Sequence, residues 1–250
     1  MEGFFEEKYG RVLCYPKYDS SELKSRIDEL NRLGVKALEF VGEKTVSNMP
    51  VLGKGCVGIV AVAYTSKGKV ALKIRRMDAD RSGMQHEAEM LKKANTVKVG
   101  PKLLGTSENF LLMEFIKGPL LFQWTSMLKG RGTKSRIQKV LRDILEQCWR
   151  LDKVGLDHGE LSKAPKHIIM DEEDKPHIVD FETASINRRV SNVTSICQYL
   201  FIGSEVAKVV KRRFGYLNQD ALIQSLKDYK RQPSRKSFES ILKTCGLRDV

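Results

Sequence analysis

The stretch Gly53-Lys54-Gly55-Cys56-Val57-Gly58-Ile59-Val60, with Val70-Ala71-Leu72-Lys73 setting a lysine fifteen residues beyond Gly58, decides the fold. Glycines in such a turn let the backbone approach phosphate oxygens closely, and its N–H groups can cradle negative charge. A dinucleotide fingerprint would need a helix directly after the glycines. The residues after them are instead Val60-Ala61-Val62-Ala63-Tyr64, an apolar run that reads as a strand. Lys73 then lies inside a second apolar strand, where an unpaired charge is costly. An edge lysine facing water is one reading; a candidate partner stands on the next helix, in His86-Glu87-Ala88-Glu89-Met90-Leu91. Glu87, with Leu91 four residues on, can face Lys73; Glu89 is the alternative.

Around this stretch the texture changes twice. Upstream, Leu23, Ile27, Leu30 and Leu33 form a helical stripe that Ser20 or Ser21 can cap and Gly34 stops. Residues 38–41, 57–64, 70–74 and 110–116 read as strands, with a helix over 84–95 between them. From about residue 117 the pattern turns helical. Ile137, Val140, Leu141, Ile144, Leu145, Cys148 and Leu151 recur at three and four, and Gly155 ends that helix. A hairpin comes next, His167-Ile168-Ile169-Met170 and His177-Ile178-Val179 around an acidic turn. Further helices are expected over 192–202, 219–229 and 236–245. A strand-rich front and a helix-rich back predict an α+β fold of two lobes.

Composition agrees with a folded chain of 250 residues, 41% hydrophobic and 30% charged, which excludes disordered, collagenous and coiled-coil classes. The longest apolar run, Ile59 to Tyr64, falls far short of the ~18 residues of a membrane helix. The start, Met1-Glu2-Gly3-Phe4-Phe5-Glu6-Glu7, lacks a basic-then-apolar export pattern, and five dispersed cysteines read as free thiols, so a cytoplasmic location without a membrane is expected. The net charge is +13. From Leu200 onward there are eleven Lys/Arg against five Asp/Glu, clustered at Lys208 to Arg213 and Lys230 to Lys236, with Phe214, Tyr216 and Tyr229 nearby. This permits contact with RNA or a ribonucleoprotein, or simply a solvated surface.

Three more signals stand in order along the chain. Phe110-Leu111-Leu112-Met113-Glu114-Phe115-Ile116-Lys117-Gly118 is an apolar strand running into a hinge, whose backbone near Glu114 and Ile116 can meet an adenine edge. Asp157-His158-Gly159-Glu160-Leu161-Ser162 precedes the hairpin. Asp180-Phe181-Glu182 closes it, with a carboxylate at a strand end suited to a metal on phosphates.

Taken together, glycine loop, V-A-L-K, helix glutamate, hinge, H-G-E-L, strand and D-F resemble the protein-kinase superfamily at its small atypical end, over about residues 47–200. The chain is most similar to RIO-type kinases and the small kinase of the KEOPS complex, and within these to predicted archaeal Ser/Thr protein kinases carrying H-G-E-L. The resemblance implies an N-lobe over 47–116, a C-lobe over 117–250 with basic C-terminal helices, and a helical extension over 1–46. It implies that Lys73 anchors the phosphates of ATP, Glu87 pairs with it, and Glu160 is the catalytic carboxylate. The nucleotide would be met by Gly53, Lys54, Gly55, Cys56, Val57, Gly58, Val60, Ala71, Met113, Glu114 and Ile116. Asp180 and His167 would hold Mg²⁺ or Mn²⁺.

The departures are specific. Glu160 stands where the family has Asp, and His167 occupies the slot of a metal-binding Asn, two residues late. Some lipopolysaccharide sugar kinases also have His there; a structural turn histidine is the other reading. An imidazole ligand favours Mn²⁺ over Mg²⁺. Glu182 replaces a glycine, and only nine residues separate it from Asn192, which leaves no room for an ordinary activation loop. The expected function is ATP-dependent phosphorylation of a Ser or Thr hydroxyl, the chain's own included. The alternatives are a kinase of sugars or lipid headgroups, and a weakly active ATP-binding scaffold on RNA or ribosomal particles.

Overall fold

The computed structural model describes residues 9–215 and 217–247. The acidic start and Tyr216, both used above, lie outside the described residues. The chain divides into two units, 1–92 with 101–115, and 93–100 with 116–250.

The first unit is built on strands β1 (Ala37–Glu39), β2 (Lys44–Val46), β3 (Met49–Val51), β4 (Gly53–Lys54), β5 (Gly58–Thr65), β6 (Gly68–Arg75), β7 (Leu103–Thr106) and β8 (Phe110–Glu114). The main sheet is antiparallel in the order β1-β5-β6-β8-β7, with β4 also on β5, while β2 and β3 form a separate hairpin. Alternation of side chains along paired strands gives the sheet two distinct faces. Ile59, Ala61 and Ala63 of β5, Val70, Leu72 and Ile74 of β6, and Phe110 and Leu112 of β8 share a buried cluster with Val12, Leu13, Leu23 and Leu30 from the N-terminal segment. On the other face the register sets Val60 beside Lys73 and Lys73 beside Leu111; in the next row Val62 pairs Ala71, and Ala71 pairs Met113.

The N-terminal segment belongs to this same unit, and residues 37–39 add an edge strand to its sheet. Its helix, Ser20–Arg32, is capped by Asp19, whose carboxylate accepts from the N–H groups of Ser21 and Glu22 at 2.9 Å. The serines expected as caps are already the first turn. Ile27, expected in the apolar stripe, is 41% exposed, and the buried position next to it is Arg26. That guanidinium is satisfied by Glu22 Oε1 (2.8 Å), the Arg75 carbonyl (2.7 Å), the Leu13 carbonyl and Asn109 Oδ1 (3.0 Å). A charge can replace a leucine here because each of the three guanidinium nitrogens finds an acceptor.

The second unit contains helices Leu121–Met127 and Thr133–Lys153, a 3₁₀ turn at Leu161–Lys163, and the hairpin of β9 (Ile168–Met170) and β10 (Pro176–Ile178). Helix Asn192–Cys197 comes next, extended by a π turn over Gln198–Ile202, and then helices Glu205–Phe214, Gln219–Arg231 and Arg235–Thr244. The stripe Ile137 to Leu151 is buried as its periodicity predicts. Helix Glu205–Phe214 was hidden in the sequence by its basic cluster. Val206, Ala207, Val209 and Val210 are buried, Lys208, Lys211, Arg212 and Arg213 are exposed, and Ser204 caps it. Among the described residues no single helix is long and apolar enough to cross a membrane.

Candidate active site

In the first unit the glycine stretch is a tight hairpin. Gly53 pairs with Val60 and Lys54 with Ile59, and the Gly55 N–H closes the turn on the Gly58 carbonyl at 2.8 Å. Arg76 braces the turn from below, donating from Nη1 to the Gly55 carbonyl at 3.1 Å, while the Val57 carbonyl accepts from the Arg76 N–H. The three glycines are there for different reasons. A Cβ at Gly58 would stand 3.0 Å from Lys73 Cγ and 3.1 Å from the Ile74 carbonyl, so Gly58 leaves room for the lysine stem. At Gly53 and Gly55 a Cβ would meet nothing nearer than 3.6 and 3.5 Å, and neither has a positive φ. The protein's own packing therefore does not require glycine at either place; a ligand that must come close to the backbone would. Cys56 at the tip is an exposed free thiol.

Lys73 Nζ lies 2.6 Å from Glu87 Oε2, with side chains only 6% and 3% exposed. Glu87 stands on the helix Arg81–Thr96, and the pair forms with it rather than with Glu89. At the end of β8 the Glu114 N–H donates to the Lys102 carbonyl at 2.9 Å, and the Glu114 carboxylate accepts from the Lys102 N–H at 3.1 Å. The boundary between the units falls after Phe115, directly before Ile116.

In the second unit, β9 and β10 pair Ile168 with Ile178, and the Val179 N–H donates to the His167 carbonyl at 3.0 Å. The hairpin's open end thus carries His167 on one strand and Asp180 just past the other. His167 Nε2 lies 3.0 Å from Glu160 Oε2 and 3.7 Å from Asp180 Oδ2. Each of the three offers a ligand atom, all within 4.8 Å of one another. His167 is 1% exposed, and burial holds its imidazole below the ordinary range against the pull of Asp180 and Glu160. Asp180 has φ +70°, the left-handed region that only a few non-glycine residues adopt. Behind His167 the ring of His158 is fully buried, bonded through Nε2 to the Val179 carbonyl and pushed down to about 4 by burial. Glu182, directly after Phe181, is partly buried.

Several contacts that hold this arrangement were not foreseen from the sequence. Asp157 accepts from Arg188 Nε at 2.5 Å, from the Ser191 N–H at 2.8 Å and from the Ser191 hydroxyl at 3.0 Å. Its backbone pairs with Ser185 in both directions. Asn192 Oδ1 accepts from the His158 N–H at 2.8 Å, and Asn192 Nδ2 donates to Asp152, which also takes the Tyr229 hydroxyl. Gly159, at φ +94°, would drive a Cβ to 3.0 Å from the Thr183 carbonyl. The short 183–191 segment therefore clamps the loop that presents Glu160. Asp157, directly before H-G-E-L, was the one visible signal of that clamp.

The RIO domain family profile matches residues 61–190, about half of the chain. Serine/threonine-protein kinase YabT of Bacillus subtilis is 40% identical over 88 residues, 30% of this chain and 25% of that protein. An uncharacterized protein of Methanocaldococcus jannaschii is 31% identical over 99 residues, 40% of this chain and 80% of that protein. The match thus spans only a quarter of the kinase's length. With the strand-rich and helix-rich units described above, the matched segment shows that the chain belongs to the RIO domain family of atypical members of the protein-kinase superfamily.

Proposed function

We propose that the protein is an ATP-dependent kinase that transfers a phosphoryl group to a serine or threonine hydroxyl, its own among the acceptors. The observation that carries this reading is the Lys73–Glu87 ion pair, 2.6 Å long and nearly closed to water, on the sheet face shared by Val60, Ala71 and Met113. Burying two charges is expensive, and replacing such a pair by apolar residues is often neutral or better for stability. Retaining it fits a lysine held ready for phosphate oxygens.

In this reading residues 47–116 are the N-lobe, 117–250 the C-lobe, and 1–46 an extension joined to the N-lobe. The backbone of Gly53 to Gly58 approaches the phosphates, helped by Lys54, Cys56 and Val57. Val60, Ala71 and Met113 line the base, and the backbone at Glu114 and Ile116 meets its edge. Asp180 and His167 would hold the divalent metal, which supplies charge neutralisation on the phosphates when bound. Glu160 orients the acceptor hydroxyl and takes its proton. Catalysis is then mainly positioning and charge stabilisation. The clamp from Asp157 to Arg188 and Ser191 supports a loop that needs no activating phosphorylation to hold its shape. We assign the protein to the cytoplasm on its composition.

The test is acceptor identification after incubation with labelled ATP. Phosphoserine or phosphothreonine on the chain or on added proteins is expected; label in sugars or lipid headgroups alone would replace this reading with the small-molecule one. A second reading, contact with RNA, is favoured by the exposed cations of helix Glu205–Phe214. It predicts binding that weakens steeply with salt and a shallower slope on charge reversal of Lys211, Arg212 and Arg213.

A further inference from the structure

The hairpin end of the second unit contains an imidazole in an unusual state. His167 is 1% exposed, yet neither ring nitrogen makes a hydrogen bond of ordinary geometry. Buried polar atoms are nearly always paired, so each exception calls for an explanation. Nε2 is nonetheless not remote from polar groups. It stands 3.0 Å from Glu160 Oε2 and 3.7 Å from Asp180 Oδ2, converging with both on one point.

The spacing is informative. A metal ion bound by nitrogen and carboxylate oxygen at about 2.0–2.2 Å separates neighbouring ligand atoms by about 3.0–3.5 Å in octahedral or tetrahedral geometry. The two distances measured from Nε2 bracket that range. Two carboxylates and one imidazole make a mixed nitrogen–oxygen set that suits Zn²⁺, Fe²⁺, Co²⁺ and Mn²⁺; Mg²⁺ asks for oxygen and keeps its waters. The scaffold is already in place, because His167 and Asp180 flank paired strands and Glu160 lies on the loop clamped by Arg188. Asp180 keeps a left-handed backbone there, the kind of strain that collects at functional sites.

We infer that Glu160, His167 and Asp180 form a transition-metal site that fills without any nucleotide. This goes beyond the phosphate-bridging metal of the proposed function, where Glu160 is no ligand. It rests on that reading only for its consequence. A metal that takes Glu160 removes the carboxylate meant to accept the hydroxyl proton, so an occupied site is a brake on transfer.

The experiment uses the full chain, metal-stripped and free of nucleotide. Calorimetric titration with Zn²⁺, Mn²⁺ and Mg²⁺ should show one transition-metal ion per chain, at least about tenfold tighter than Mg²⁺. Pulsed electron paramagnetic resonance of the Mn²⁺ form should show nitrogen hyperfine coupling. His167→Asn should erase that coupling and weaken Zn²⁺ at least about tenfold. If that variant does not fold, the wild-type nitrogen coupling decides alone. Absence of nucleotide-free binding, or Mn²⁺ binding without nitrogen coupling, overturns the inference. Binding of a fluorescent ATP analogue, measured in parallel, separates the two accounts: metal binding with no nucleotide binding would sink the kinase reading and leave the metal site standing.

Discussion

Replacing Lys73 by Met keeps most of the side chain's volume and removes its charge, leaving Glu87 buried with its ion-pair partner gone. The pair is 2.6 Å apart with side chains 6% and 3% exposed, so water cannot take over the role of the ammonium group. Breaking one half of such a pair costs ~3–5 kcal/mol. At ~2–4 °C per kcal/mol for a chain of this size, the midpoint of the first unit should fall by roughly 6–20 °C. Glu87→Leu should cost a similar amount. Combining the two removes both charges, and the double variant should regain most of the loss, ending within ~1 kcal/mol of wild type or above it. Far-ultraviolet circular dichroism follows unfolding of the whole chain, and the fluorescence of Trp124 and Trp149, both in the second unit, reports how far the loss spreads to it. A double variant whose loss equals the sum of the singles, or singles that cost under ~1 kcal/mol, would refute the buried-pair argument.

The glycines separate into two classes by the same logic. Gly53→Ala and Gly55→Ala should leave the unfolding midpoint almost unchanged, within ~0.5 kcal/mol, while weakening ATP binding; Gly58→Val should lower both, because its side chain would press on Lys73, and calorimetry with thermal unfolding checks each. Glu29 is pushed up by burial, but hydrogen bonds, those from Asn109 among them, and the positive charge of Arg26 outweigh this and hold it below its ordinary value of 4.5. A depressed carboxyl contributes stability above its unfolded pKa and loses it as pH falls through the folded one, so acid should weaken the first unit below about pH 4.5, and Glu29→Gln should flatten that dependence in denaturation series. Arg188→Ala frees Asp157 and the Thr183 carbonyl; it should speed hydrogen exchange over 157–160 and cut phosphoryl transfer by up to ~10²-fold with little change in ATP binding.

How far the sequence could be read depended on whether the signal was local. Period-two and period-three-to-four patterns exposed β5, β6, β8 and the Thr133–Lys153 helix because one buried face writes itself into the order of residues. Candidate site residues were legible because glycine loop, lysine, glutamate and carboxylates come in a fixed order. What hides is pairing across long separations. Arg26 reads as a surface charge, and only its contacts with Arg75 and Asn109, 49 and 83 residues away, make it a core residue. Asp19 took the cap because a carboxylate one residue earlier reaches two N–H groups. The helix Glu205–Phe214 hid because its basic cluster masks a narrow apolar stripe. The convergence of Glu160 on His167 could not be foreseen, since the two-residue insertion before His167 left the ring's direction open.

The most direct test is turnover of γ-labelled ATP by the full chain with Mg²⁺, wild type beside Asp180→Ala. The account predicts label on a Ser or Thr acceptor with wild type and a loss of ~10²–10³-fold in the variant, the usual cost of removing a charge-stabilising contact at the transferred group. A folded wild type that neither binds nor turns over ATP, or a variant that labels as fast as wild type, would contradict it.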